Sequence, residues 1–136
     1  MGREMGAVSV LVVEDDDDTR ELLRLWLEDA GTTVFQARDG REALRKITHV
    51  LPSVILCDLR MPGLDGCSFV KQMHSDLKLR VPVVALTAEA DEGSVVRTLE
   101  AGFSGHMVKP VTRGAVLAQI ARVLPRPDRR VRPGAQ

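Results

Sequence analysis

Short apolar runs alternate with amphipathic segments along the chain. The runs predict strands at residues 8–13, 32–37, 53–58, 81–86 and 104–108. The third run is rich in β-branched residues and lies between Pro52 and Pro62. This pattern is typical of a strand buried on both faces of a parallel sheet.

The segments between the runs carry apolar residues at helical spacing. They predict helices over 19–30 and 39–47, after Asp65, over 89–101 and after Thr112. Asp65 and Thr112 are residue types that cap helix N-termini. In the first helix the expected apolar positions include Leu22 and Leu23, and in the fourth we expect Val95, Val96 and Leu99 to face the core.

Five βα units predict one α/β domain, with a doubly wound parallel sheet and helices on both faces. The length of 136 residues fits a single domain. We assign the domain to residues 7–124. Residues 125–136 are basic and contain Pro and Gly, and we interpret them as a flexible tail or the start of a linker.

Composition excludes several classes of protein. No apolar stretch is long enough to span a bilayer, and the N-terminus lacks the apolar segment of a secretion signal. The two cysteines, Cys57 and Cys67, are too few for a disulfide framework. The formal net charge of +0 argues against nonspecific nucleic-acid binding. We therefore expect a cytoplasmic protein that contacts neither membrane nor nucleic acid directly.

Polar residues follow four of the five predicted strands. Glu14 and Asp15 follow the first strand, Asp58 ends the third, Thr87 follows the fourth and Lys109 the fifth. The carboxyl ends of parallel strands meet at one edge of a sheet, where such folds bind ligands. Each residue alone has an ordinary interpretation as a cap, a turn or a solvated strand end. All of them together predict a site.

The residue types suggest metal-assisted phosphoryl chemistry. Three close carboxylates would raise one another's pKa, and a bound divalent cation would remove that repulsion. Ligands that are all oxygen favour a hard ion such as Mg²⁺. Asp58 is the candidate nucleophile, because carboxylates form aspartyl-phosphates. Lys109 and Thr87 supply an ammonium and a hydroxyl for the phosphoryl oxygens.

At these residues the chain strongly resembles the receiver domain of two-component response regulators. The resemblance covers about residues 7–124. Its motifs are residues 11–16 (LVVEDD), 58–66 (DLRMPGLDG), 85–88 (ALTA) and 108–110 (VKP). The strand order 2-1-3-4-5 of a flavodoxin-like fold is taken from this resemblance.

The resemblance implies a role for each acidic residue. Asp58 would accept a phosphoryl group from a histidine kinase or a phosphotransfer protein. Glu14 and Asp15 would be the acidic pair that binds Mg²⁺ together with Asp58, with Asp15 as a direct ligand. The backbone carbonyl of Arg60 would be a further ligand.

The resemblance also implies how the signal leaves the site. Thr87 and Lys109 would contact the phosphoryl oxygens, and the Lys109–Pro110 bond would be cis. Thr87 and His106 would form the switch, although the family usually has Tyr or Phe where this chain has His106. Arg60 and Glu89 are expected to face each other and to limit the approach of water.

The leading hypothesis is a phosphorylation-controlled binding module that catalyses only its own phosphotransfer and autodephosphorylation. Its partners would be the kinase and a downstream protein target or output domain, with the chain a monomer or a weak phosphorylation-dependent dimer. The alternative is a small phosphatase or phosphotransferase with an Asp nucleophile. Such enzymes commonly carry a second acid where this chain has Arg60, which releases no proton. A third hypothesis is a structural pseudo-receiver.

Overall fold

Five parallel strands form the centre of the protein in a computed structural model that describes residues 7–88 and 92–125. The sheet order is β2-β1-β3-β4-β5, which confirms the expected order. The predicted domain limits stay a prediction, and residues 126–136 of the predicted tail lie outside the described residues. The strands are β1 (Ser9–Val13), β2 (Thr33–Ala37), β3 (Val54–Asp58), β4 (Val83–Thr87) and β5 (Gly105–Val108).

Helices follow the strands as the sequence predicts. Their bounds are α1 (Asp17–Asp29), α2 (Gly40–Ile47), α3 (Gly66–Ser75), α4 (Glu92–Ala101) and α5 (Arg113–Val123). Asp65 and Thr112 cap α3 and α5 through their side chains, as expected. Helix α1 begins two residues before the predicted Thr19, because the Asp16 carboxylate accepts a hydrogen bond from the Thr19 amide at 2.9 Å.

Strand alternation divides the core between the two faces of the sheet. Leu11 and Val13 of β1 pack with buried residues of α2 and α3, whereas Val10 and Val12 pack with those of α1 and α5. The β3 and β4 strands are buried along their whole length. No helix within residues 7–88 and 92–125 is long and apolar enough to cross a membrane.

The prediction that Val96 and Leu99 of α4 face the core is wrong. Val96 and Leu99 are 49% and 61% exposed, while Ser94 and Thr98 are buried. The Thr98 hydroxyl donates to the Val95 carbonyl oxygen at 2.7 Å, so its polar atom is satisfied within the helix and can be buried. In α1, Leu22 is likewise 45% exposed, and Leu23 and Leu27 occupy the core. Apolar spacing alone does not fix which face of a helix is buried.

Candidate functional site

Three carboxylates meet at the carboxyl edge of the sheet. Glu14, Asp15 and Asp58 each offer an oxygen, and the three oxygens lie within 4.8 Å of one another. Glu14 is fully buried, Asp58 is nearly so, and Asp15 is exposed. In the β1–β3 pairing Val13 lies opposite Cys57. Glu14 and Asp58 are the next residues along these two strands, so they come close together.

The Lys109 ammonium lies against two of these carboxylates. Its Nζ is 2.9 Å from Glu14 Oε1 and 3.3 Å from Asp58 Oδ2. The Lys109 amide donates to the Thr87 carbonyl oxygen at 2.7 Å, which holds the end of β5 beside the end of β4. The Lys109–Pro110 peptide bond is cis, as the resemblance implied. The fold therefore brings one cation into the acidic cluster.

Burial and charge shift the pKa values of this pair. Burial raises the pKa of Glu14 to about 7, and the nearby charge of Asp58 adds to the rise. Hydrogen bonds from Lys109 and from the Asp16 amide oppose it. Burial of the Lys109 ammonium acts to lower its pKa, but its contacts with Glu14 and Asp58 outweigh burial, and its pKa is raised. Glu14 therefore holds a proton more readily than an ordinary carboxyl group.

Thr87 ends β4 one residue beyond the position that pairs with Asp58. Asp58 pairs with Leu86 across the two strands, and Thr87 is buried. Thr87 also lies on the wall of a cavity of about 190 Å³ between the β3–α3 loop and α4. The other residues of that wall are Leu59, Arg60, Asp65, Cys67, Ser94 and Arg97.

The remaining predicted site residues are only partly located. The Arg60 side chain is exposed, and its amide donates to Asp58 Oδ1 at 3.2 Å. Glu89, the predicted partner of Arg60, lies outside the described residues. His106 pairs with Ala85 in β4, which belongs to the core on the α2 and α3 face of the sheet. Its Nε2 is buried and has no hydrogen-bond partner among the described residues.

The donors present fit Mg²⁺. Hard divalent ions prefer carboxylate and carbonyl oxygens, and the cluster supplies three carboxylates at one point. The side-chain nitrogen that contacts Glu14 and Asp58 is the cationic Lys109 Nζ, which cannot bind a metal while protonated. The arrangement can therefore hold an ion and, beside it, a phosphoryl group.

Sequence reasoning missed Arg20. Its guanidinium donates to the Glu14 carbonyl oxygen at 2.9 Å and to Asp17 Oδ1 at 2.6 Å. The available signal was its place in the first turn of α1, three residues after Asp17, where opposite charges meet on a helix. The contact with Glu14 depends on how the loop between β1 and α1 folds, which the spacing of residues does not show.

Comparisons with known proteins identify the family to which the chain belongs. The family model of the response regulator receiver domain matches residues 10–121. The chain is 36% identical to the chemotaxis protein CheY4 of Vibrio cholerae, with a TM-score of 0.79 over 86% of this chain and 98% of that one.

Two curated relatives show the range of lengths. An uncharacterised 14.6 kDa protein of Leptolyngbya boryana is 38% identical over 79% of this chain and 82% of its own length. The alkaline phosphatase synthesis transcriptional regulatory protein PhoP of Bacillus subtilis is 37% identical, over 88% of this chain and 49% of its own length. The chain thus spans about half the length of the transcriptional regulators that it matches.

Proposed function

Because this chain belongs to the response regulator receiver domain family, we propose that Asp58 accepts a phosphoryl group from a histidine kinase or phosphotransfer protein. The observation that carries the proposal is the meeting of Glu14, Asp15, Asp58 and Lys109 at one edge of the sheet. Phosphorylation would then change a protein-binding surface for a downstream target or output domain. A receiver domain is a signalling module, and its self-catalysed phosphotransfer and autodephosphorylation belong to this proposal.

Glu14, Asp15, Asp58 and the carbonyl oxygen of Arg60 would hold Mg²⁺. The ion would supply positive charge against the phosphoryl oxygens. An Asp58 carboxylate oxygen forms the new bond to phosphorus, and the P–N bond to the donor histidine breaks, with its electron pair leaving on the imidazole. Lys109 already contacts Asp58 Oδ2, so its ammonium is in place to neutralise charge that develops there.

Thr87 and His106 are the proposed switch. Thr87 ends the strand next to Asp58, so a movement of its hydroxyl toward Asp58 would let it donate to a phosphoryl oxygen. His106 lies on strand β5, and its Nε2 is buried without a hydrogen-bond partner in the part of the chain described. Such an atom favours a second position in which it finds a partner, because burial of an unpaired polar atom is costly. Movement of His106 would alter the surface around α4, β5 and α5.

One incubation distinguishes this function from the alternatives. The protein is mixed with a small phosphodonor and Mg²⁺, and both bound phosphoryl and released phosphate are followed. A receiver acquires up to one phosphoryl group per chain, which it loses slowly. A phosphatase would release phosphate continuously without stable labelling, and a pseudo-receiver would do neither. Either of the last two results would contradict the proposal.

Localisation and direct partners stay predictions of the same proposal. A cytoplasmic location, the absence of direct contacts with nucleic acid or membrane, and a monomer or weak phosphorylation-dependent dimer all follow from the receiver assignment. Relatives such as PhoB of Escherichia coli are named as transcriptional regulators, but this chain matches only 52% of that protein's length. The proposed partners are therefore a histidine kinase or phosphotransfer protein and a downstream protein target or output domain.

A further inference from the structure

The side chain of Arg20 contacts both ends of the loop that carries the acidic pair, Glu14 and Asp15. Residues 14–16 connect β1 to α1, Asp17 is the first residue of the helix, and Arg20 lies in its first turn. Its guanidinium donates to the Glu14 carbonyl oxygen at 2.9 Å and to the Asp17 carboxylate at 2.6 Å. The Arg20 side chain is only 14% exposed, and its contact with the Glu14 carbonyl oxygen is partly buried, whereas Asp17 is an exposed partner. Asp15, whose carboxylate is exposed, lies between Glu14 and Asp17 in the sequence.

Other contacts restrain the same loop but do not bridge it. The Asp16 amide donates to Glu14 Oε2 at 3.1 Å, and the Asp16 carboxylate caps α1. The Glu14 amide donates to the Ala37 carbonyl oxygen at 3.0 Å, which fixes that end to β2. The guanidinium of Arg20 joins the two ends directly, because its fork of donors can serve a carbonyl and a carboxylate together.

We propose that Arg20 is a positioning residue for the metal site. Because it contacts both Glu14 and Asp17, it keeps the Asp15 carboxylate close to those of Glu14 and Asp58 before an ion binds. This inference rests on the proposed function. It assigns Arg20 no contact with substrate or ion. Its effect is to reduce the conformational freedom that the loop would otherwise lose on binding Mg²⁺.

The charge of Arg20 alone predicts the opposite effect. A guanidinium close to an acidic cluster repels an incoming cation, so removal of that charge should strengthen Mg²⁺ binding. Lysine keeps the positive charge but has no planar fork, so one ammonium cannot reproduce both contacts. The variants Arg20→Lys and Arg20→Met therefore separate geometry from charge.

The test is an Mg²⁺ titration followed by amide NMR shifts, for the parent, Arg20→Lys, Arg20→Met and the control Arg24→Lys. Arg24 lies on the same helix but pairs with Glu21 and Glu28, away from the site. Loss of an outer residue that orients metal ligands typically weakens binding roughly 10-fold to 100-fold. We expect about 10-fold weaker binding for Arg20→Lys, weaker binding also for Arg20→Met, and no change for Arg24→Lys.

A second readout is independent of the ion. In metal-free protein, amide hydrogen exchange at residues 15–17 should become faster in Arg20→Lys and stay unchanged in Arg24→Lys, while exchange in β3 stays slow in both. Unchanged Mg²⁺ affinity in Arg20→Lys, or tighter binding in Arg20→Met, would overturn the inference and leave the proposed function standing. A parent protein that does not bind Mg²⁺ would overturn the proposed function, and this inference with it.

Discussion

Replacement of Glu14 by glutamine should remove a large pH dependence from the stability of the metal-free protein. Glu14 is fully buried, and burial raises its pKa from 4.5 to about 7. In the unfolded chain the carboxyl group is in water and titrates near its ordinary value. At a pH between these two pKa values, Glu14 is therefore mostly protonated in the folded state and mostly ionised in the unfolded state.

The sign and size follow from proton linkage. A group whose folded pKa is raised contributes stability below its unfolded pKa, and that stability is lost as pH rises through the folded pKa. A pKa that rises from 4.5 to about 7 corresponds to a loss of roughly 3 kcal/mol in the free energy of unfolding at most. Most of the loss should fall between pH ~5 and pH ~7.

The assay is urea unfolding in EDTA at a series of pH values, for the parent, Glu14→Gln and the control Glu100→Gln. Glu100 is an exposed carboxylate at the C-terminal end of α4 and does not belong to the acidic cluster. We expect the parent and Glu100→Gln to lose stability over that range, and Glu14→Gln to have a flatter profile. Parallel profiles for the parent and Glu14→Gln would refute the argument that Glu14 carries a raised pKa.

Three further substitutions test the other assigned roles. Asp15→Ala should weaken Mg²⁺ binding by at least about 10-fold, since it removes a charged oxygen ligand; parental affinity in a titration would show that the ligand assignment is wrong. Arg60→Ala should shorten the half-life of the phosphorylated form while changing stability by less than about 1 kcal/mol, and an unchanged half-life would count against a gating role. His106→Phe should leave phosphorylation intact but change partner binding by the phosphorylated form, because it removes the buried Nε2 that has no hydrogen-bond partner among the described residues; equal partner affinity of the two phosphorylated proteins would rule out a switching role.

The fold could be predicted because local patterns and global topology agree. Five short apolar runs and the helices between them leave few topologies other than a parallel sheet covered on both faces. The polar residues at four strand ends predicted where a site would lie, and the structure brings Glu14, Asp15 and Asp58 together there. The strand order itself came from the resemblance and not from the pattern.

The failures arise where the burial or the contacts of a polar side chain cannot be read from residue spacing. Thr98 is buried in α4 because its hydroxyl bonds to the Val95 carbonyl, so counting apolar residues selected the wrong face. Arg20 was missed because its contact with the Glu14 carbonyl oxygen depends on the path of the loop. The sequence predicted raised pKa values from the repulsion of neighbouring carboxylates, whereas the main cause of the raised pKa of Glu14 is its burial, which residue spacing does not reveal.

Identification of the phosphorylated residue is the most direct test of the proposed role of Asp58. The parent, Asp58→Asn and the control Asp18→Asn are incubated with a small phosphodonor and Mg²⁺, and the intact mass of each is measured before and after hydroxylamine treatment. Asp18 lies exposed in the first turn of α1 and outside the acidic cluster. We expect one hydroxylamine-sensitive phosphoryl group on the parent and on Asp18→Asn, and none on Asp58→Asn. Labelling of Asp58→Asn at the parental level would contradict the assignment of Asp58 as the phosphoacceptor.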